Sequence, residues 1–170
     1  MTAIPILLAD AVTTVINTAE AASTFAVSFT PRRSYPDWDL SYEDLDGTEV
    51  DVVFVSGQGS GGDLVELDSV GSLDYEPSID VCVRHRFGPS DREPKTGRLL
   101  NASVDPLVKL VEQLQEVLAT NRGTELSLGS GIEASWSNAT MRTYVNQRRL
   151  REGFFEGVVR VNFDVSKDGI

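Results

Sequence analysis

A chain of 170 residues has room for one domain, which buries roughly two-thirds of its unfolded surface in a single core. With 41% hydrophobic and 24% charged residues it has the composition of a globular protein rather than of a disordered or fibrous one. The formal charge of -11, from 26 acidic against 15 basic residues, argues against a molecule that grips nucleic-acid phosphate, and the single cysteine, Cys82, excludes both an intrachain disulfide and a thiolate metal cluster.

The chain opens Met-Thr-Ala-Ile-Pro-Ile-Leu-Leu-Ala-Asp. It lacks a basic leader, and Asp10 interrupts its apolar run, so neither a signal peptide nor a membrane span is expected, and the expected compartment is the cytosol. After Pro5, Leu8, Ala11, Val12, Val15, Ile16 and Ala19 recur at helical spacing, which predicts a first amphipathic helix. Phe25, Val27 and Phe29 then alternate with Ala26, Ser28 and Thr30, predicting a strand over 24–30 that Pro31 closes. A second strand is predicted over 49–55, where Val50, Val52 and Phe54 oppose Asp51, Val53 and Val55, apolar enough on both faces to be central.

The stretch 63–75 is ambiguous and reads at most as one irregular strand through Leu64–Val70. From Ser78 to Phe87 the pattern is clear, with Ile79, Val81, Val83, His85 and Phe87 on one face and Asp80, Cys82, Arg84 and Arg86 on the other. Residues 88–98 hold two prolines, two glycines and charges of both signs, the composition of a solvated loop or hairpin arm. Asp105-Pro106 supplies an N-cap followed by proline at the first helical position, and Leu107, Leu110, Val111, Leu114, Val117 and Leu118 form an apolar stripe ending before Asn121-Arg122-Gly123. Ile132, Ala134 and Trp136 predict a further strand, and 141–145 another short one. The last strand begins at Phe154. Phe155, Val159, Val161, Phe163 and Val165 fall on one face, and Glu156, Arg160, Asn162 and Asp164 on the other.

These elements predict an α+β fold in one domain spanning 1–170: a mixed, mostly antiparallel sheet with two amphipathic helices packed on one face, plus extended loops protruding near 56–63 and 88–99. Motifs for chemistry are sparse. Gly57-Gln58-Gly59-Ser60-Gly61-Gly62 matches G-x-G-x-x-G after a strand, yet no helical stripe follows to receive a pyrophosphate, so a nucleotide-binding domain using Gly57–Gly62 stays an alternative rather than the main reading. The acid-rich run 37–47 invites a calcium loop, but Tyr42 stands where the glycine belongs and Thr48 where the bidentate glutamate belongs. His85 is the lone histidine. It points away from Cys82 across the strand, which makes a thiol–imidazole pair awkward. No catalytic residue, cofactor or metal is predicted, and the expectation is a protein that is not an enzyme.

The residues singled out instead are charged. Arg148, Arg149 and Arg151, with Glu152, form the densest basic cluster, and Arg32-Arg33 forms a second. Such runs are commonly solvated loop charges. The functional alternative pairs them with the acids Asp37, Asp39, Glu43 and Asp44 of a neighbouring copy, a head-to-tail interface that closes into a ring.

Several stretches together resemble the tail terminator family of long-tailed bacteriophages, also called tail completion or head-tail joining proteins. They are the helix 6–19, the run 25–33 with Tyr35-Pro36, the acidic 37–46 leading into Val50-Asp51-Val52-Val53-Phe54-Val55, Ser78-Ile79-Asp80-Val81-Cys82-Val83, the helix 105–119, and Arg149-Leu150-Arg151-Glu152-Gly153-Phe154-Phe155 with its closing strand. The likeness covers nearly the whole chain as an order of elements with loose local patterns. It implies a non-enzymatic virion structural protein forming a hexameric ring on the head-proximal end of the tail tube. The ring ends tail elongation, and its partners are the tail tube protein and neck or connector proteins. DNA passes the lumen without specific binding, no membrane is involved, and the location is the virion tail or neck after assembly in the host cytoplasm. Another neck connector or a tail tube protein is the nearest alternative. The loops at 57–62 and 88–98 match no feature of that pattern.

Overall fold

A computed structural model describes residues 4–34, 45–55, 66–67, 73–129 and 131–167. Its eight strands form one sheet, and the long final strand organises it. Strand β8 (Phe154–Lys167) carries β5 (Ser78–Arg86) on one edge along its first half, and farther along the same edge β4 (Leu73–Tyr75), which pairs in turn with β3 (Glu66–Leu67). Its other edge carries β7 (Ile132–Thr143), which is followed by β6 (Glu125–Gly129). Outward from β5 come β2 (Thr48–Val55) and then β1 (Pro31–Ser34). Every pairing is antiparallel except β1 with β2, so the sheet is mixed and mostly antiparallel, as the sequence predicts.

Period-two patterning decides which face is dry. Val50, Val52, Ile79, Val81, Val83, Phe155, Val159, Val161 and Phe163 are fully buried, in one cluster with the apolar stripes of helices α1 (Ile4–Ala21) and α2 (Asn101–Ala119). Helix α1 buries Leu8, Ala9, Val12 and Ile16, and α2 buries Leu107, Leu110, Val111, Leu114 and Leu118. Burying a Leu or Val side chain contributes about 1.5–3 kcal/mol, so these stripes dominate the attachment of the helices to the sheet. Helix α1 is long and apolar enough to span a membrane by length and composition, despite Asp10. In this fold its Leu8, Val12 and Ile16 face the protein core.

Four predicted boundaries change, each for a local reason. Residues 24–30 form no strand: the amide of Ala26 donates to Gln113 Oε1 at 2.8 Å and Gln113 Nε2 donates to the Thr24 carbonyl at 3.0 Å, so a helix side chain satisfies the backbone where a ladder would. The alternation instead stacks Phe25 on the buried Phe29, with ring centroids 5.1 Å apart. Pro31 begins β1 rather than ending a strand, which suits the first residue of an edge strand that needs no donor there. Helix α2 starts at Asn101, a full turn before Asp105, with Pro106 inside it; its first turn closes on the Leu100 carbonyl, which accepts from Ser103 and Val104. The two strands predicted at 132–136 and 141–145 are one, β7, whose bulges between Trp136 and Asn138 and between Met141 and Thr143 break the alternation.

The 88–99 arm is a hydrogen-bonded hairpin. A one-turn 3₁₀ segment, Pro89–Asp91, leads to an antiparallel bridge between Arg92 and Leu99, and Glu93 donates its amide to the Arg98 carbonyl at 2.8 Å. In the stretch 63–75, the described residues form the β3–β4 hairpin instead of a single strand. The predicted loop 57–62 lies outside the described residues.

Candidate functional site

Between β7 and β8 the chain makes a short helix, α3 (Gln147–Glu152). Asn146 caps it: its side-chain oxygen accepts from the amides of Arg148 (3.1 Å) and Arg149 (3.3 Å), while its Nδ2 donates to Glu156 Oε1 at 2.6 Å. Gly153 ends it at φ 91°, a conformation glycine adopts without Cβ strain. Leu150 packs against the core, which leaves the arginines outward. The Arg148 side chain is 87% exposed and reaches Glu152 at 3.4 Å, Arg149 meets Glu152 at 3.1 Å, and Arg151 is exposed.

The arm joins this helix across Gly153. Phe87 donates its amide to the Gly153 carbonyl at 3.0 Å, and the Arg92 guanidinium lies so close that a Cβ on Gly153 would sit 2.6 Å from its Nη2. Stretches 86–98 and 142–152 thus form one end of the molecule. Together they hold eight of the fifteen Lys and Arg residues but only three of the 26 Asp and Glu residues, a net +5 on a chain of -11. Tyr144, in the turn leading to α3, is 48% exposed, the one large hydrophobic side chain so exposed among the described residues.

The other predicted basic pair lies elsewhere. Arg32 and Arg33 are on β1, three strands away from β8, and both have partners within the chain. Arg32 Nε donates to Asp51 Oδ1 at 2.9 Å and its Nη2 to Glu49 Oε2 at 2.5 Å; Arg33 meets Asp10 at 3.1 Å. Arg84 from β5 donates to the other Asp51 oxygen through Nε at 3.0 Å and through Nη2. One strand further, Arg160 grips Asp80 with two parallel bonds, Nε to Oδ1 at 2.7 Å and Nη2 to Oδ2 at 2.8 Å. The Arg32–Asp51–Arg84 and Arg160–Asp80 groups project from the sheet face away from the helices, where Asp51 and Asp80 are nevertheless buried, whereas Arg33 pairs with Asp10 of α1. The predicted partners Asp37, Asp39, Glu43 and Asp44 lie outside the described residues. The structure therefore brings Arg148, Arg149, Arg151 and Glu152 together and does not bring Arg32 or Arg33 to them.

Reactive side chains are held quiet. Cys82 is buried on the polar face, and burial, reinforced by the carboxylates of Asp80, Glu156 and Asp51, pushes its thiol up to about 12. His85 is half-buried on the opposite face, accepts or donates a 3.0 Å bond between Nδ1 and Thr48 Oγ1, and stacks edge-on against Phe87 at 5.1 Å. Burial lowers its pKa below the ordinary histidine value. Trp136 Nε1 is a buried donor with no acceptor among the described residues, in an edge-on ring pair with Phe163 at 5.0 Å. Among the described residues no group of three or more His, Cys, Asp or Glu side chains is placed to hold a metal ion.

Sequence reasoning missed α3, the union of the arm with it, and the paired carboxylates of the polar face. Asn146 and Gly153 are recognisable start and stop signals for a helix between them. Which arginine meets which carboxylate depends on strand register, and that is fixed only by the assembled core. No protein-family model matches the chain, and no curated protein matches it significantly.

Proposed function

We propose that this protein is a non-enzymatic assembly component that joins copies of itself head to tail into a closed ring, a hexamer capping the head-proximal end of a phage tail tube and joining it to the neck. The observation that carries the self-assembly is the polarised charge: a basic end with an exposed tyrosine on a molecule that is otherwise strongly acidic. Tyr and Arg are the residues enriched at the centres of protein interfaces. A contact between two different patches of one chain is heterologous, and a heterologous contact either closes into a ring or extends as a filament. The phage context rests on the resemblance in element order alone.

Negative-stain electron microscopy of the purified protein over a concentration series, with and without magnesium, tests the reading. Rings with six-fold symmetry that do not stack indefinitely are expected. Long tubes would replace the terminator by a tube subunit. A protein that stays monomeric in solution and forms no rings when mixed with tail tubes would overturn the proposal, and nucleotide binding abolished by a bulky residue at Gly59 or Gly62 would favour the alternative domain.

A further inference from the structure

Self-assembly leaves open which surface receives the basic end, and the described residues offer a specific candidate. On the sheet face away from the helices, β6, β7 and β8 align Glu125 with Ser135 and Asp164, and Ser127 with Glu133 and Ser166. Their neighbours along β7 and β8, Ala134, Trp136, Phe163 and Val165, are buried, and Leu126 of β6 packs against the same core, so the polar set shares the opposite face. Glu125, Glu133 and Asp164 are all exposed. None has an ion pair among the described residues, whereas Asp51 and Asp80 on the same face are taken by arginines. Neighbouring strands lie about 4.8 Å apart, which puts Glu125 and Asp164 about 10 Å apart, with short serine side chains between them. That is an acidic platform.

Resting on the self-assembly reading above, we infer that the basic end of one copy, which carries Tyr144, Arg142, Arg148 and Arg151, docks on the Glu125–Glu133–Asp164 platform of a second copy. Charge complementarity selects the occupant. Outside the two basic stretches the chain carries a net -16, so another copy of the chain is itself a concentrated acidic partner. The three arginines are exposed, and Arg142 and Arg151 hold no ion pair among the described residues. The surrounding serines leave the carboxylates open to planar guanidinium forks, the geometry in which Arg–carboxylate contacts are strongest. The two patches differ, so each copy uses both, and the contact propagates.

A charge-swap experiment tests the pairing. Sedimentation velocity on the full chain, in low salt, compares wild type with R148E/R151E, with E125K/E133K, with an equimolar mixture of the two, and with the chain carrying all four changes; thermal melting confirms that each variant folds. Each two-residue variant is expected to self-associate at least about tenfold more weakly than wild type. The four-residue chain, whose end is acidic and whose platform is basic, is expected to recover association. In the mixture, the acidic end of R148E/R151E meets the basic platform of E125K/E133K and the basic end of E125K/E133K meets the acidic platform of R148E/R151E, so the two variants are expected to alternate and to recover the association that each lacks alone. Unchanged association in both two-residue variants, with wild-type rings intact, would overturn the pairing and leave ring assembly standing. Charge-controlled growth into open filaments would keep the pairing and contradict ring closure. A wild-type chain that stays monomeric, or a basic end that binds a polyanion such as heparin without self-association, would overturn the pairing itself.

Discussion

At the scale of single residues, the far face of the sheet is the most constrained part of the molecule. Asp80 is 9% and Arg160 11% exposed at the side chain, and their two short parallel bonds satisfy each other in a site with little water. Removing one partner strands the other's charge. Arg160→Leu is therefore expected to cost about 3–5 kcal/mol in urea unfolding, and adding Asp80→Leu to recover most of that loss, because a matched apolar pair is close to neutral where a lone buried carboxylate is not. Equal costs for the single and double variants would contradict this. The same face shelters Cys82. With its thiol raised to about 12 by burial, a disulfide reagent at neutral pH should label it only as fast as the protein opens, and in one step in denaturant; prompt labelling of the native protein would show the thiol to be accessible.

At the scale of elements, the sequence marks what periodicity controls and misplaces what tertiary partners control. Helix α1, β2, β5 and β8 stand where alternation and helical stripes put them, because each buries one continuous face. Strand β7 reads as two because its bulges shift the pattern, and 24–30 reads as a strand because nothing local announces that Gln113 will take its backbone groups. The arm and α3 look like solvated charge runs, since each contributes little to the core; their union across Gly153 is a tertiary fact. One element-scale requirement is the approach of α2 to β8. At Gly157 a Cβ would lie 2.5 Å from Val111 Cγ2 and 3.1 Å from the Tyr144 carbonyl, well inside the usual 3.5–4 Å carbon contact. Gly157→Ala is expected to destabilise the fold by about 1–3 kcal/mol through overpacking, with partial rescue by Val111→Ala; a G157A melting temperature matching wild type would mean the helix yields freely.

At the scale of the whole molecule, the candidate site was half legible. The Arg148–Arg151 cluster stands out in the sequence, and the structure places it at an end with the arm and Tyr144. Arg32 and Arg33 looked equivalent to it but are occupied by Glu49, Asp51 and Asp10, a distinction that charge density along a chain does not carry. The acidic platform was invisible because Glu125, Glu133 and Asp164 come from three strands and meet only through register. A net charge of -11 opposes the approach of separate copies at long range, and the proposed head-to-tail contact between opposite patches has to outweigh that repulsion locally. Added salt screens both effects, with a Debye length falling from about 10 Å at 0.1 M to about 3 Å at 1 M.

The central claim is that copies of this chain close into a ring of fixed size, and native mass measurement over a rising concentration series tests it most directly. One dominant assembly at six times the 18.5 kDa chain mass, which does not grow further as concentration rises, is expected. A monomer at every concentration, both alone and mixed with tail tubes, or a mass that climbs without limit, would contradict it.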